Sequence, residues 1–160
     1  DKIYKREYRR DTKEAKHDQD VNNLRLITNA KEVEEKLYSF KLTTAEKEQV
    51  LIYLIENNFI NEERFAKSFV RGKHNYKNWG KNRIIQELKF RNISSKLIEI
   101  ALQEINSEEY IIRFNALAEK HWLTIKERKG QKKNKKFVDF LLRKGYETNL
   151  IFEKLKQLDN

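Results

Sequence analysis

The chain has 160 residues, a formal net charge of +10 and 38% charged residues, and it contains no cysteine and no proline. Only 38% of the residues are hydrophobic, which argues against one large core, and the lack of cysteine excludes disulfides and thiolate chemistry. The longest wholly apolar run, Val50 to Ile55, is far shorter than the roughly 20 residues that span a bilayer, so we expect a cytoplasmic protein without a membrane segment.

Five apolar positions recur three times along the chain, which indicates a tandem repeat. The three copies are Val33, Leu37, Leu42, Leu51 and Leu54; Ile84, Leu88, Ile93, Leu102 and Ile105; and Phe137, Leu141, Tyr146, Leu155 and Leu158. The spacing predicts a short helix, a tight turn and a second helix in each copy, and the first two copies continue into a third helix. We therefore predict an all-α chain of three tandem three-helix repeats in an elongated, curved arrangement, with the last repeat truncated to two helices.

The repeats divide the chain into five segments. These are a charged N-terminal arm or helix (1–29), repeat 1 (30–74), repeat 2 (75–124), a basic linker (125–136) and repeat 3 (137–160). The alternating charges of the first segment do not decide between a solvated helix and a flexible arm.

Helix starts follow from capping residues. In repeat 1, Thr43 and Glu46 form a predicted capping box, and Asn61 is a predicted N-cap of the third helix. In repeat 2, Ser94 and Ser107 are the predicted caps of the second and third helices. The third helix of repeat 2 is expected to turn Tyr110, Ile111, Phe114, Leu117 and Ala118 inward.

The excess positive charge lies in two blocks, of which the first runs from residue 67 to 92 and holds eight basic residues and one acidic residue. Lys67, Arg71 and His74 are expected to share an exposed helix face, and such a surface attracts polyanions. The predicted partner-binding or DNA-binding residues of this block are Lys67, Arg71, Lys73, Lys81, Arg83 and Lys89.

Aromatic residues and a glycine lie among these cations. Tyr76 and Trp79 could stack on a nucleobase or fill the boundary between repeats, and packing is the preferred interpretation. Gly80 is expected to give the backbone freedom that the next helix needs at its start.

The second block occupies 126–136, where seven of eleven residues are basic. Without apolar anchors, this stretch is predicted to be a mobile loop that contacts phosphates or an acidic surface, and the alternative is a solvated linker. Its predicted binding residues are Lys126, Arg128, Lys129, Lys132, Lys133, Lys135 and Lys136.

Catalytic chemistry has little support in the sequence. His17, His74 and His121 are far apart, and neither a phosphate-binding glycine loop nor a nucleophile motif is present. We expect no catalytic residues, no metal site and no cofactor, and we interpret the chain as a monomeric binding protein.

Two segments resemble a known family signature. The stretch FINEERFAKSFV, from Phe59 to Val70, and the stretch WGKNRIIQELKFRNIS, from Trp79 to Ser94, are similar to the signature of RecX regulatory proteins. Asn61 stands where that family usually has aspartate, and Asn92 stands where it usually has glycine. The positions that match the family pattern, most of them structural, are Phe59, Ile60, Arg64, Phe65, Ala66, Phe69, Gly80, Ile84, Leu88 and Ile93.

The resemblance implies a non-enzymatic modulator of the RecA recombinase in recombination regulation, DNA repair and the SOS response. Such a protein lies in the groove of the RecA filament on single-stranded DNA, inhibits its ATPase and strand-exchange activities, and favours filament disassembly. The resemblance does not decide whether the chain also binds double-stranded DNA.

The residues by themselves leave two alternative functions open. The short second helices could belong to a helix-turn-helix DNA-binding regulator that acts without RecA, although their low Asn and Gln content argues against base reading. The other alternative is a nuclease, which metal-dependent DNA cleavage by the purified chain would reveal.

Overall fold

The computed structural model describes residues 29–159, which form eight α-helices and no β-strand. The helices are α1 (Ala30–Tyr38), α2 (Thr44–Glu56), α3 (Glu62–Lys77), α4 (Lys81–Phe90), α5 (Ser95–Leu102), α6 (Ser107–Thr124), α7 (Gln131–Lys144) and α8 (Thr148–Asp159). The all-α prediction is confirmed. None of these helices is long and apolar enough to cross a bilayer. The N-terminal arm predicted for 1–29 falls, except for its last residue, outside the described residues.

Most predicted caps are present. Thr43 Oγ1 accepts a hydrogen bond from the Glu46 N–H at 3.3 Å, and Glu46 Oε2 accepts one from the Thr43 N–H at 2.8 Å, which completes the capping box of α2. Asn61 Oδ1 accepts from the Arg64 N–H at 2.8 Å at the start of α3. Each cap satisfies a backbone donor that the helix itself leaves without a partner.

The predictions for α6 need two corrections. Its N-cap is Asn106, not Ser107, because the Asn106 amide oxygen accepts from both the Glu108 and Glu109 N–H groups at 2.8 and 3.1 Å. One amide oxygen thus satisfies two donors, and Ser107 becomes the first helical residue. Ile111 is 39% exposed and does not face inward.

The predicted basic linker is only partly irregular. Helix α7 already begins at Gln131, so residues 131–136 form its first turns and are not a loop. Lysine is a good helix former, and two contacts offset the repulsion between neighbouring lysines. Lys133 Nζ lies 4.3 Å above the Trp122 ring, and Lys136 pairs with Glu127.

The described residues belong to two compact units, divided after Ser68, inside α3. The first unit has its own small core, in which the apolar residues of α1 and α2 meet those that lead into α3. Its buried residues include Val33, Leu37, Val50, Leu54 and Ile60.

The second unit, from Phe69 onward, holds the larger core. Ile84 and Leu88 of α4 and Phe137 and Leu141 of α7 are fully buried, at 0% exposure. These four side chains occupy the same two repeat positions in consecutive copies, so the apolar repeat in the sequence marks core positions.

Helices α4 and α7 meet at a close backbone contact, which we call the glycine junction. The Gly80 N–H donates to the Lys144 carbonyl at 2.8 Å, and the Asn82 N–H donates to the Gly145 carbonyl at 3.0 Å. The last carbonyls of α7 thereby satisfy N–H groups at the N-terminal end of α4, which neither helix could satisfy by itself. The contact also joins opposite ends of two helix dipoles, which is favourable.

Only glycine fits on the two sides of this junction. A Cβ atom at Gly80 would lie 2.3 Å from the Gly145 oxygen, and one at Gly145 would lie 2.3 Å from Arg83 Cβ. Gly145 also has a φ of +91°, whereas Gly80 has an ordinary φ of −77°. Gly80 is therefore required for close approach, and the prediction that it supplies backbone freedom is wrong.

Replacing Gly145 with alanine should destabilise the second unit. The added Cβ meets Arg83 and the left-handed backbone is strained, so we expect a loss of about 2–4 kcal/mol in the free energy of unfolding. Gly72→Ala is the matched control, because a Cβ there meets nothing within 4 Å. Because alanine is a better helix former than glycine, Gly72→Ala in the interior of α3 should raise the free energy of unfolding by about 0.5–1 kcal/mol. Urea unfolding followed by circular dichroism measures the stability of both variants. Equal effects of the two substitutions would contradict the claim that the junction requires glycine at position 145.

Candidate functional site

Five cations surround the glycine junction, and we call them the junction cluster: Lys73, Lys77, Lys81, Arg83 and Lys144. Lys144 Nζ donates to the Lys77 carbonyl at 3.0 Å, which brings the end of α7 to the end of α3. Arg83 NH1 donates to the Arg143 carbonyl at 2.9 Å. The cluster thus contains cations from α3, α4 and α7. Two of them, Lys77 and Lys144, are 67 residues apart in the sequence.

The positive charges of the junction cluster repel one another. Partial burial lowers the pKa of the Lys144 ammonium below its usual value, and repulsion by Arg83 and Lys77 lowers it further. Both causes disfavour the charged form, and a bound anion would relieve the repulsion. A group of cations held close together in this way is suited to a polyanion such as a phosphate backbone or an acidic protein surface.

Aromatic rings support three of these cations. The Arg83 guanidinium carbon lies 4.0 Å from the centre of the Trp79 ring, and Lys73 Nζ lies 5.1 Å from the same centre. Trp79 also meets Phe69 edge-on at 6.3 Å, in agreement with the preferred packing interpretation. Tyr76, in contrast, is 85% exposed, so that interpretation is wrong for Tyr76. Aromatic faces hold cations in place while leaving their outer sides open.

The third supported cation, Lys81, is positioned by Tyr110. The Tyr110 hydroxyl accepts from the Lys81 backbone N–H at 3.1 Å and donates to Glu147 Oε2 at 2.6 Å, and the Lys81 ammonium lies 4.7 Å from the ring centre. Burial and the Glu147 carboxylate hold the Tyr110 pKa far above its usual value, so the hydroxyl stays protonated. One phenol therefore joins α4, α6 and the start of α8.

The other predicted residues of the first block are placed differently. In the first unit, Lys67 Nζ lies 2.6 Å from Glu63 Oε1, and in the second unit Arg71 NH1 lies 2.7 Å from Glu104 Oε2. Lys89 is exposed on α4. His74 is only 4% exposed, so its predicted place on an exposed basic face is wrong.

His74 is buried because the core uses its imidazole. Its ring lies 5.4 Å from the Tyr110 ring, and Nδ1 lies 3.1 Å from the Trp79 carbonyl oxygen. Burial lowers the His74 pKa below its usual value, which favours a neutral ring. Packing between α3 and α6 therefore takes precedence over solvation at this position.

The second basic block borders α6, α7 and α8. Lys129 Nζ donates to the Asp159 carbonyl at 3.2 Å, while Lys133 and Lys136 make the contacts with Trp122 and Glu127 already described. Six of the seven cations of the block are exposed, and only Lys133 is half-buried; the exposed ones are Lys126, Arg128, Lys129, Lys132, Lys135 and Lys136. The block is thus anchored at several points.

Sequence reasoning missed two members of the junction cluster, Lys77 and Lys144. Lys77 was counted in the first basic block but was not predicted as a binding residue, and Lys144 lies outside both blocks. Gly145 directly follows Lys144, but Gly80 lies three residues after Lys77, so no local pattern links the two lysines. Their proximity follows only from the contact between α4 and α7.

A metal centre finds no support in the part of the chain that the structure describes. No group of three or more His, Cys, Asp or Glu side chains there could hold a metal ion.

Comparisons with known proteins point in one direction. Family models of RecX match twice: the second three-helix domain over residues 61–102 and the third over residues 108–155. The regulatory protein RecX of Vibrio parahaemolyticus is 34% identical over 120 residues, which cover 75% of this chain and 76% of that protein. The RecX of Vibrio campbellii is 35% identical over 107 residues, which cover 67% of each chain. The crystal structure of RecX from Lactobacillus salivarius has a TM-score of 0.71 and 27% identity, over 87% of this chain and 91% of that one.

Two tyrosines in the same core should respond differently to loss of their hydroxyl. Tyr110→Phe removes two hydrogen bonds and leaves Lys81 and Glu147 without them, so we expect a loss of about 1–3 kcal/mol in the free energy of unfolding. The Tyr146 hydroxyl is buried without a hydrogen-bond partner among the described residues, so Tyr146→Phe should change stability by less than about 0.5 kcal/mol or increase it. Urea unfolding of both variants tests this. A larger loss for Tyr146→Phe would contradict the role given to Tyr110.

Proposed function

The chain belongs to the RecX family of regulatory proteins, and from this premise we propose that it regulates the RecA recombinase. It binds the RecA filament on single-stranded DNA, inhibits the ATPase and strand-exchange activities of the filament, and favours its disassembly. The protein acts as a cytoplasmic monomer and does so by binding, without chemistry of its own.

The junction cluster is the observation that carries this proposal. A filament of recombinase on DNA is polyanionic, and the second unit presents cations from three helices around one backbone junction. Burial lowers the Lys144 pKa most, and repulsion by Arg83 and Lys77 lowers it further. A bound polyanion relieves this repulsion and therefore gains more from the cluster than from scattered lysines.

Inhibition follows from binding energy alone. The repeats supply several weak contacts, and contacts that act together on one filament gain affinity through effective concentration. If these contacts are stronger in a filament state that cannot turn over, binding shifts the population toward that state. Neither step needs a catalytic residue.

Neutralising part of the junction cluster should abolish most of the inhibition. In the triple variant Lys73→Gln, Lys77→Gln and Lys81→Gln, the contacts between Tyr110 and the backbone of Lys81 and between Lys144 and the backbone of Lys77 remain possible. We expect the concentration for half-maximal inhibition of the recombinase's DNA-dependent ATPase to rise by roughly tenfold or more, because charged contacts dominate association with polyanions. The assay uses the recombinase of the same organism.

The matched control removes the same charge elsewhere. Lys96→Gln, Lys120→Gln and Lys156→Gln lie at exposed positions of α5, α6 and α8, outside both basic blocks. This variant should inhibit almost as well as the unchanged protein, and circular dichroism should show equal helicity for all three proteins. Equal inhibition by both triple variants would show that the junction cluster is not the contact.

A further inference from the structure

An open cleft of about 500 Å³ lies where the end of α6 meets the α6–α7 connection and α7. His121 comes from α6, Lys126 and Glu127 come from the connection, and α7 contributes Lys136, Asp139 and Arg143. A cleft of this volume is within the range of small-molecule sites, which is roughly 300–1,000 Å³. It belongs wholly to the second unit.

The cleft has an excess of positive charge. Three permanent cations face two carboxylates, which gives a net charge of +1 with a neutral imidazole and +2 with a protonated one. Lys136 pairs with Glu127, so this pair contributes little net charge. Lys126, Arg143 and Asp139 remain, which gives a net charge of +1, and the side chains of both cations are exposed. The guanidinium of Arg143 offers the planar fork of donors that suits a phosphate oxygen pair.

The imidazole of His121 forms part of the wall and is fixed in orientation. It stacks on Phe140 with a centroid distance of 3.7 Å and an interplanar angle of 19°. Its Nε2 atom is buried and has no hydrogen-bond partner among the described residues. Burial lowers the His121 pKa, the nearby Lys136 carbonyl raises it to a smaller extent, and repulsion by Arg143 lowers it again. The empty cleft thus favours a neutral ring.

We propose that this cleft binds one phosphate group between Lys126 and Arg143 and that His121 takes up a proton when the cleft is occupied. The ligand chemistry is a tetrahedral oxyanion, which can come from a free phosphate compound or from the backbone of a single DNA strand. His121 acts through charge and is not itself a ligand, because its Nε2 atom is buried and its Nδ1 atom lies 3.4 Å from Thr124 Oγ1.

The proton uptake follows from the signs of the charges. An anion beside Arg143 cancels the repulsion that Arg143 exerts on the imidazolium, so the His121 pKa is higher in the occupied cleft than in the empty one. Protonated His121 in turn attracts the anion. Affinity for a non-titrating anion therefore increases as the pH falls through the pKa of the occupied and then of the empty cleft. The Glu127 and Asp139 carboxylates oppose anion binding, and the Lys136 ammonium offsets the charge of Glu127.

This inference goes beyond the proposed function, because it needs no recombinase. The cleft is separate from the junction cluster, and the two share no side chain. Loss of ATPase inhibition in the junction variant would leave the cleft untouched, and an empty cleft would leave inhibition untouched.

Nuclear magnetic resonance of the full chain tests the proposal. Inorganic sulfate, inorganic phosphate and an oligothymidylate are titrated separately, and the backbone amides of the cleft residues are followed. Sulfate keeps its charge between about pH 5 and 8, where histidine titrates, so it isolates the response of His121. With saturating sulfate the His121 midpoint should rise by roughly half a pH unit or more. Saturation by free anions, or by the oligonucleotide alone, identifies the source of the phosphate.

Two arginine variants separate the cleft from general positive charge. Arg143→Gln should weaken anion binding by roughly tenfold or more, because it removes a charge-assisted contact. Arg128→Gln makes the same chemical change at an exposed residue of the same connection, outside the cleft lining, and should leave the affinity within about twofold. Lys126→Gln is the second cleft variant and is used if Arg143→Gln loses its dispersed amide spectrum.

Three results would overturn the inference. The first is that none of the three probes shifts the cleft amides in a saturable way. The second is that Arg143→Gln and Arg128→Gln weaken binding equally, which would mean a diffuse charge effect. The third is an unchanged or lowered His121 midpoint with sulfate bound.

Discussion

The second unit depends on a backbone contact in which the start of α4 and the end of α7 satisfy each other. Helix ends carry N–H and C=O groups without partners in their own helix, and leaving such groups buried and unpaired costs free energy. Here the Gly80 and Asn82 N–H groups use the carbonyls of Lys144 and Gly145. Because a Cβ on either glycine would collide with the opposing chain, the contact exists only with glycine on both sides.

This junction determines where the charges lie. It brings the end of α7 to α3 and α4, so that cations from three helices surround one point although their repulsion opposes the arrangement. Aromatic rings and carbonyl groups hold several of these cations, which lowers the entropy lost when a polyanion binds. The positive charge of this surface is compatible with the proposed binding of a polyanionic filament by this member of the RecX family.

Features that depend on neighbouring residues could be predicted from the sequence. The capping box at Thr43 and the caps at Asn61 and Ser94 all involve contacts within a few residues, and each is present. The first two positions of the apolar repeat are buried in all three copies, because burial follows helical periodicity. The fourth position is only half-buried in each copy, at Leu51, Leu102 and Leu155. Errors arose where two local solutions compete, as at the start of α6, where Asn106 and not Ser107 caps the helix.

Features that depend on distant contacts could not be predicted. Lys144 joins the junction cluster only because α7 ends against α4, and no pattern near Lys144 reports that contact. The sequence predicts an exposed position for His74, but in the structure its ring packs against Tyr110. The lysine-rich stretch before Phe137 resembles a loop by composition. Its side chains nevertheless have partners in Trp122 of α6, Glu127 of the connection before α7 and Asp159 of α8, and these contacts allow a helix.

Hydrogen exchange of the Gly80 and Asn82 amides tests the central claim most directly. N–H groups at a helix start usually exchange quickly because they lack an intrahelical partner. The glycine junction predicts that these two amides exchange about as slowly as those of Ile84 and Leu88 in the core of α4. Exchange as fast as that of an open helix end would show that α4 and α7 do not hold each other, and the shared cationic surface would lose its basis.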